Sequence, residues 1–233
     1  MRSRLSRAVS SIPRLLSVLL TIRVGGLLLA ALALWIFYEI AEDVLKTETQ
    51  AFDTAILLAL RRMHTPLLDR IMTAITFWGE PEVLLILAVS LGIWLLLKRR
   101  APEATTLGVG VVGAGGLNYW LKELFHRERP ALWERTVDVR YYSFPSGHAM
   151  VSMVMYGLIG YLLATRFRRV KRVWIYSLSI LLILAIGFSR LYLGVHWPSD
   201  VGAGYAAGLV WLMACILELE IWRKHRSAHS RSK

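Results

Sequence analysis

The chain has 233 residues, 56% of them hydrophobic, with 28 Lys and Arg against 16 Asp and Glu, a formal net charge of +12. In a soluble domain that charge would point to nucleic acid. Here the apolar residues fall in nearly uncharged blocks of roughly 15 to 18, close to the ~20 that cross a bilayer. The reading is therefore an integral membrane protein with no nucleic-acid partner, and the single cysteine, Cys215, excludes an intrachain disulfide.

Residues 1–23 carry five arginines and are expected to form a basic amphipathic segment on the inner membrane surface. The first apolar block, 24–40, has the apolarity of a signal peptide, but 23 residues precede it and "WIFYEIAEDV" follows it without a small-x-small cleavage site. It is read as a span. The stretch "AFDTAILLALRRMHTPLLDRIMTAITFWG" then repeats apolar residues at helical spacing, with Pro66 as a break. Two short helices lying on the outer surface are expected from it, with no role beyond anchoring. Five further spans follow, at 81–97, 104–121, 149–165, 173–188 and 201–217, and a basic tail at 223–233 closes the chain.

Basic residues cluster at 2–23, 98–100, 166–172 and 223–233, which together hold 18 of the 28 Lys and Arg. Six spans put all four clusters and both termini on one side, the cytoplasmic one by the positive-inside rule. The expected fold is thus all-α and polytopic, with a six-span domain at 24–222 and short interfacial helices outside. Trp35, Tyr38, Trp78, Trp120 and Trp197 lie near span ends, as an interfacial aromatic belt would.

Three outer stretches ask for more than a loop. "KELFHRERP" sets Lys122, Arg127, Arg129 and Pro130 at the end of the third span, opposite the face where positive charge gathers. An anion would hold them there. In "PSGH", Pro145 and Ser146 signal a helix start with Ser146 at the N-cap, so the N–H groups at Gly147 can receive an anion, with His148 in the first turn. "SRLYLGVHWPSD" adds Arg190, His196 and Asp200. The four-residue separation lets Asp200 accept the Nδ1–H of His196 and leave Nε2 free, although a His–Asp pair also serves as a plain structural hydrogen bond.

Taken together, three cations can hold the nonbridging oxygens of a phosphoryl group while one histidine attacks and the other protonates the leaving oxygen, chemistry that requires no metal and no cofactor. The alternative of a transporter or channel lacks support, because no block carries Lys, Arg or Asp near its centre.

These motifs resemble the tripartite signature of the type 2 phosphatidic acid phosphatase family, Lys-x6-Arg-Pro, Pro-Ser-Gly-His and Ser-Arg-x5-His-x3-Asp. Here the signature reads Lys122 to Arg129-Pro130, Pro145 to His148, and Ser189-Arg190 through His196 to Asp200, with every spacing kept. The resemblance implies a lipid phosphate phosphatase in which His196 is the nucleophile, Asp200 its orienting partner and His148 the general acid. Lys122, Arg129, Ser146, Gly147 and Arg190 would bind phosphate. Arg127, Glu128 and Arg135 lie outside the signature and are expected to face solvent. Phosphatidylglycerophosphate or phosphatidic acid is the favoured substrate and undecaprenyl pyrophosphate the next, with headgroup contacts expected from the loop at 131–143. A bacterial inner membrane is the expected location, with the site on its outer face.

Overall fold

The computed structural model describes residues 2–133 and 141–229, with side chains described from Val24 to His225 within those limits. The basic face expected of 1–23, most of the loop at 131–143 with Arg135, and the end of the tail therefore lie outside the described residues. Eight helices run through the described part: α1 (Arg2–Leu45), α2 (Gln50–Arg61), α3 (Pro66–Phe77), α4 (Pro81–Leu97), α5 (Ala101–Phe125), α6 (Gly147–Ala164), α7 (Arg169–Tyr192) and α8 (Pro198–His229).

Their boundaries follow local chemistry. Prolines open α3, α4 and α8, where the missing N–H costs no intrahelical bond. The Thr65 hydroxyl also accepts from the Leu68 N–H at the start of α3. At the other end of α5, His126 adopts a left-handed conformation that stops the helix before the first signature motif ends.

Four helices are each long and apolar enough to cross a membrane: α1 from Val24, α6, α7 and α8. A fifth crossing arises if α3 and α4, which meet at 43°, form one bent span. The expected count of six is thus met only in part. The reason lies in α5, whose 25 residues include five glycines together with Glu103, Asn118 and Lys122, so its apolarity is diluted. The exposed leucines of α1, among them Leu27, Leu28 and Leu34, and Trp174, Leu178 and Leu181 of α7 form apolar surfaces suited to lipid rather than water. The molecule is an integral membrane protein.

Helix α6 is the hub. It packs against α4, α5, α7 and α8, while α1 lies along α8. Leu107, Val154, Met155, Leu158, Ile186 and Leu212 fill the space between these helices. The two short helices broken at Pro66 are present, and they dock on the bundle: α3 on α7, and α2 on both α7 and α8. Trp197, expected in the aromatic belt, is instead buried at 6% exposure and donates its indole N–H to the Glu128 carbonyl.

The turn from α7 to α8 carries the segment that presents His196. Gly194 sits there with φ of +68°, and a Cβ at that position would lie 2.4 Å from Cζ2 of Trp133. Both the backbone and the packing call for glycine. Gly194→Ala is expected to lower the unfolding temperature in detergent, with about 1–2 kcal/mol lost to the left-handed conformation and more to the collision. An unchanged midpoint would show that the turn relaxes freely.

Candidate active site

The three motifs reach one cavity of about 560 Å³ from three different helix ends. Lys122 comes from the last turn of α5, Gly147 and His148 from the start of α6, Arg190 from the end of α7, and Arg129 and His196 from the adjoining loops. Leu84, Leu85, Val111, Val112 and Val151 line it too, beside Glu82, Asn118 and Tyr119, so the cavity joins a cluster of charged groups to apolar walls.

His196 is at the centre of the charged cluster. Its Nδ1 lies 3.3 Å from Asp200 Oδ2, and its Nε2 lies 3.1 Å from an Arg129 guanidinium nitrogen. Because a guanidinium can only donate, Nε2 is the acceptor and the proton resides on Nδ1, facing the carboxylate. Burial pushes the His196 pKa well below the usual histidine range, and the nearby cations Arg129, Lys122 and Arg190 push it the same way. The imidazole is therefore neutral at pH 7, with a lone pair aimed at the cations.

Asp200 is wholly buried. Besides His196, its Oδ2 accepts the backbone N–H of Trp197 at 2.9 Å, and its Oδ1 accepts from Arg127 at 2.6 Å. Arg127 thus does not face solvent as expected. The other edge of its guanidinium donates to Asp53 Oδ2 at 2.7 Å and Thr49 Oγ1 at 3.1 Å, and it lies over the Trp197 ring. Asp53, also wholly buried, accepts from the Ser199 N–H at 3.0 Å and from the Ser199 hydroxyl. Two buried carboxylates share one forked cation, and Arg127 turns inward because it lies between them and donates to both.

The phosphate-binding candidates are brought together as well. Lys122 Nζ donates to the carbonyls of Tyr142 at 2.6 Å and Ser143 at 3.3 Å. Arg129 donates to the carbonyls of Tyr141, Tyr142 and Val195. Arg190 reaches Thr76 Oγ1 at 2.8 Å. Ser146 stands at the N-cap of α6, and its hydroxyl makes no capping bond. The Ser146 hydroxyl, Arg190 Nε and His148 Nε2 are buried polar atoms without a hydrogen bond among the described residues. Arg190 and His148 line the cavity, and their nitrogens without a hydrogen bond suit a ligand rich in acceptor oxygens.

Sequence reading missed Asp53 and Thr76, from the two helices read as mere anchors, and Thr49 and Glu80, which flank them. Asp53 gave a faint signal as the one acid within "AFDTAILLAL". Glu80, between Gly79 and the proline that opens α4, gave none. Its Oε1 lies 3.3 Å from His148 Nε2 and 3.9 Å from Arg190.

A sequence profile described as the PAP2 superfamily matches residues 103–222. Phosphatidylglycerophosphatase B of Bacillus subtilis (strain 168) is 32% identical over 181 residues, covering 76% of this chain and 89% of that protein. A putative undecaprenyl-diphosphatase, YbjG, of Escherichia coli (strain K12) is 29% identical over 142 residues, covering 59% and 66%. The crystal structure of a transmembrane PAP2 type phosphatidylglycerolphosphate phosphatase from Bacillus subtilis superposes with a TM-score of 0.77 at 29% identity, over 82% of this chain and 96% of that one. Motif spacing, cavity and matched span agree, and the chain belongs to the PAP2 superfamily.

Proposed function

We infer that the chain is an integral-membrane lipid phosphate phosphatase working through a phosphohistidine at His196. The observation that carries this reading is the neutral His196, held by Asp200 and facing Arg129, in a cavity that also has leucine and valine walls. A lipid phosphate offers a partner to both the cations and the apolar walls. In the first step Nε2 of His196 bonds to phosphorus as the bond to the lipid oxygen breaks, and His148 gives that oxygen a proton. In the second, a water molecule loses a proton to His148 and attacks phosphorus, the P–N bond breaks and inorganic phosphate leaves. Lys122, Arg129 and Arg190, with Ser146 and the Gly147 N–H, hold the nonbridging oxygens and offset their charge as it redistributes. These cations supply stabilisation that would otherwise call for a metal.

Asp53 and Arg127 act at one remove, fixing the rotamer of Asp200 and through it the ring of His196. The favoured substrate is phosphatidylglycerophosphate or phosphatidic acid, a reading supported by the Bacillus subtilis relative's coverage of most of this chain. Undecaprenyl pyrophosphate is the second reading, supported by the Escherichia coli relative's name.

The membrane domain runs from 24 to 222 and crosses six times. Helix α5 is the additional span, since 25 residues at 1.5 Å reach about 37 Å, more than the ~30 Å hydrocarbon core. Its place against α4, α6 and α8 supports this. Both termini are cytoplasmic, the site opens on the extracytoplasmic face, and the membrane is a bacterial inner one.

Three results would test this reading. Purified protein in detergent with EDTA should release phosphate from at least one of phosphatidylglycerophosphate, phosphatidic acid and undecaprenyl pyrophosphate, and His196→Ala should abolish it; release that survives the substitution would place the chemistry elsewhere. Nitrogen NMR of histidine-labelled protein should find His196 still neutral near pH 6, about half a unit below the pKa of an exposed histidine. Arg127→Lys keeps a charge but loses the fork, so kcat should fall at least tenfold with KM little changed; Arg127→Ala, which strands two buried carboxylates, should cost about 3–5 kcal/mol in stability.

A further inference from the structure

The bend between α3 and α4 forms a wall of the site that none of the three motifs supplies. It is pinned in two places: Arg190 donates to Thr76 Oγ1 at 2.8 Å, and the Tyr156 hydroxyl donates to the Trp78 carbonyl at 2.7 Å. Gly79 lets the chain press close, because a Cβ there would lie 2.9 Å from His148 Cδ2 and 2.5 Å from Ile186 Cγ2. Glu80 follows at the N-cap position of α4, yet its side chain caps nothing. The carboxylate turns to the cavity instead, 34% exposed, with Oε1 3.3 Å from His148 Nε2 and 3.9 Å from Arg190.

That places a fixed negative charge on the leaving-group side. In-line displacement by His196 sends the departing oxygen away from His196 and toward the acid, His148, beside which Glu80 stands. A phosphomonoester departs as an alcohol that is neutral once protonated. A diphosphate departs as a lipid phosphate, which keeps negative charge whether or not its bridging oxygen is protonated. The carboxylate therefore acts on the two substrate classes in opposite senses. It helps hold the proton that an alcohol needs in order to leave, and it repels a leaving group that is itself an anion.

We propose that Glu80 is a specificity-determining residue that sets this phosphatase toward phosphomonoesters with alcohol leaving groups and against diphosphates. The proposal rests on the roles inferred above for His196 and His148, and it deepens that reading by naming the substrate class. Charge, rather than headgroup shape, does the selecting.

The test compares phosphatidic acid with diacylglycerol pyrophosphate of identical acyl chains, so that only the leaving group differs. Initial rates of dephosphorylation are measured for the wild type, Glu80→Gln and Glu80→Asp in the same detergent. For Glu80→Gln, kcat/KM on the diphosphate relative to the monoester should rise about tenfold or more, as expected for removing a like charge a few ångströms from the departing group. Glu80→Asp, which keeps the charge, should stay near the wild-type ratio. A Glu80→Gln ratio equal to the wild type's, with both substrates slowed alike, would reduce Glu80 to a structural part of the bend and overturn the proposal. An equal shift in Glu80→Asp would also overturn it, by tracing the effect to shape. Failure of the wild type to release phosphate from either lipid would overturn the phosphatase reading together with this one, so the two failures are told apart by the wild type alone.

Discussion

The buried carboxylate of Asp200 is the constraint on which the rest of the site depends. An isolated ionised carboxylate in the interior is costly, so each of its lone-pair directions has to be answered. His196, the Trp197 N–H and Arg127 answer them. Recruiting Arg127 brings its own guanidinium inside, and that cation in turn is balanced by Asp53 on α2. One buried charge thereby orders a chain of partners reaching an element 147 positions earlier in sequence. The outer helices are in this sense part of the site, held by ionic pairing as much as by apolar contact.

The second organising feature is the collection of cations at the end of an apolar bundle. Lys122, Arg129 and Arg190 repel one another and depress the basicity of His196. They are kept in place by uncharged partners, chiefly the carbonyls of Tyr142, Ser143, Val195 and the hydroxyl of Thr76. Carbonyls orient a cation without cancelling its charge, so the field remains available to an arriving phosphate. Glu80 is the exception, a carboxylate within reach of Arg190 and His148. It gives the His148 side of the cavity a mixed charge.

Short-range relations were readable in the sequence. The four-residue step from His196 to Asp200, the Pro-Ser-Gly start of α6 and the prolines that open α3, α4 and α8 all follow from the geometry of a single helical turn. The apolar blocks of α1, α6, α7 and α8 were equally plain. Helix α5 is less apolar, and two of its glycines, Gly110 and Gly113, lie where a Cβ would meet Leu158 of α6 and Trp211 of α8. Arg127 was misread because a cation at an unspecified position of the first motif looks like any surface arginine until the fold sets Asp53 and Asp200 on either side of it.

The amino-acid sequence by itself thus determined the membrane-spanning character, the helix starts and the signature residues that line the cavity. These depend on composition and on spacings of a few residues. Only the tertiary structure decided that Asp53 shares Arg127 with Asp200, that Thr76 holds Arg190 and that Glu80 faces His148. Those partners lie between about seventy and more than a hundred positions apart, and no local periodicity relates them. Their pairing is set by how α2, α3 and the bend before α4 dock across the ends of α6, α7 and α8. The physical reason is that a buried charge must find its counter-charge wherever packing brings one near, and packing is a property of the whole bundle.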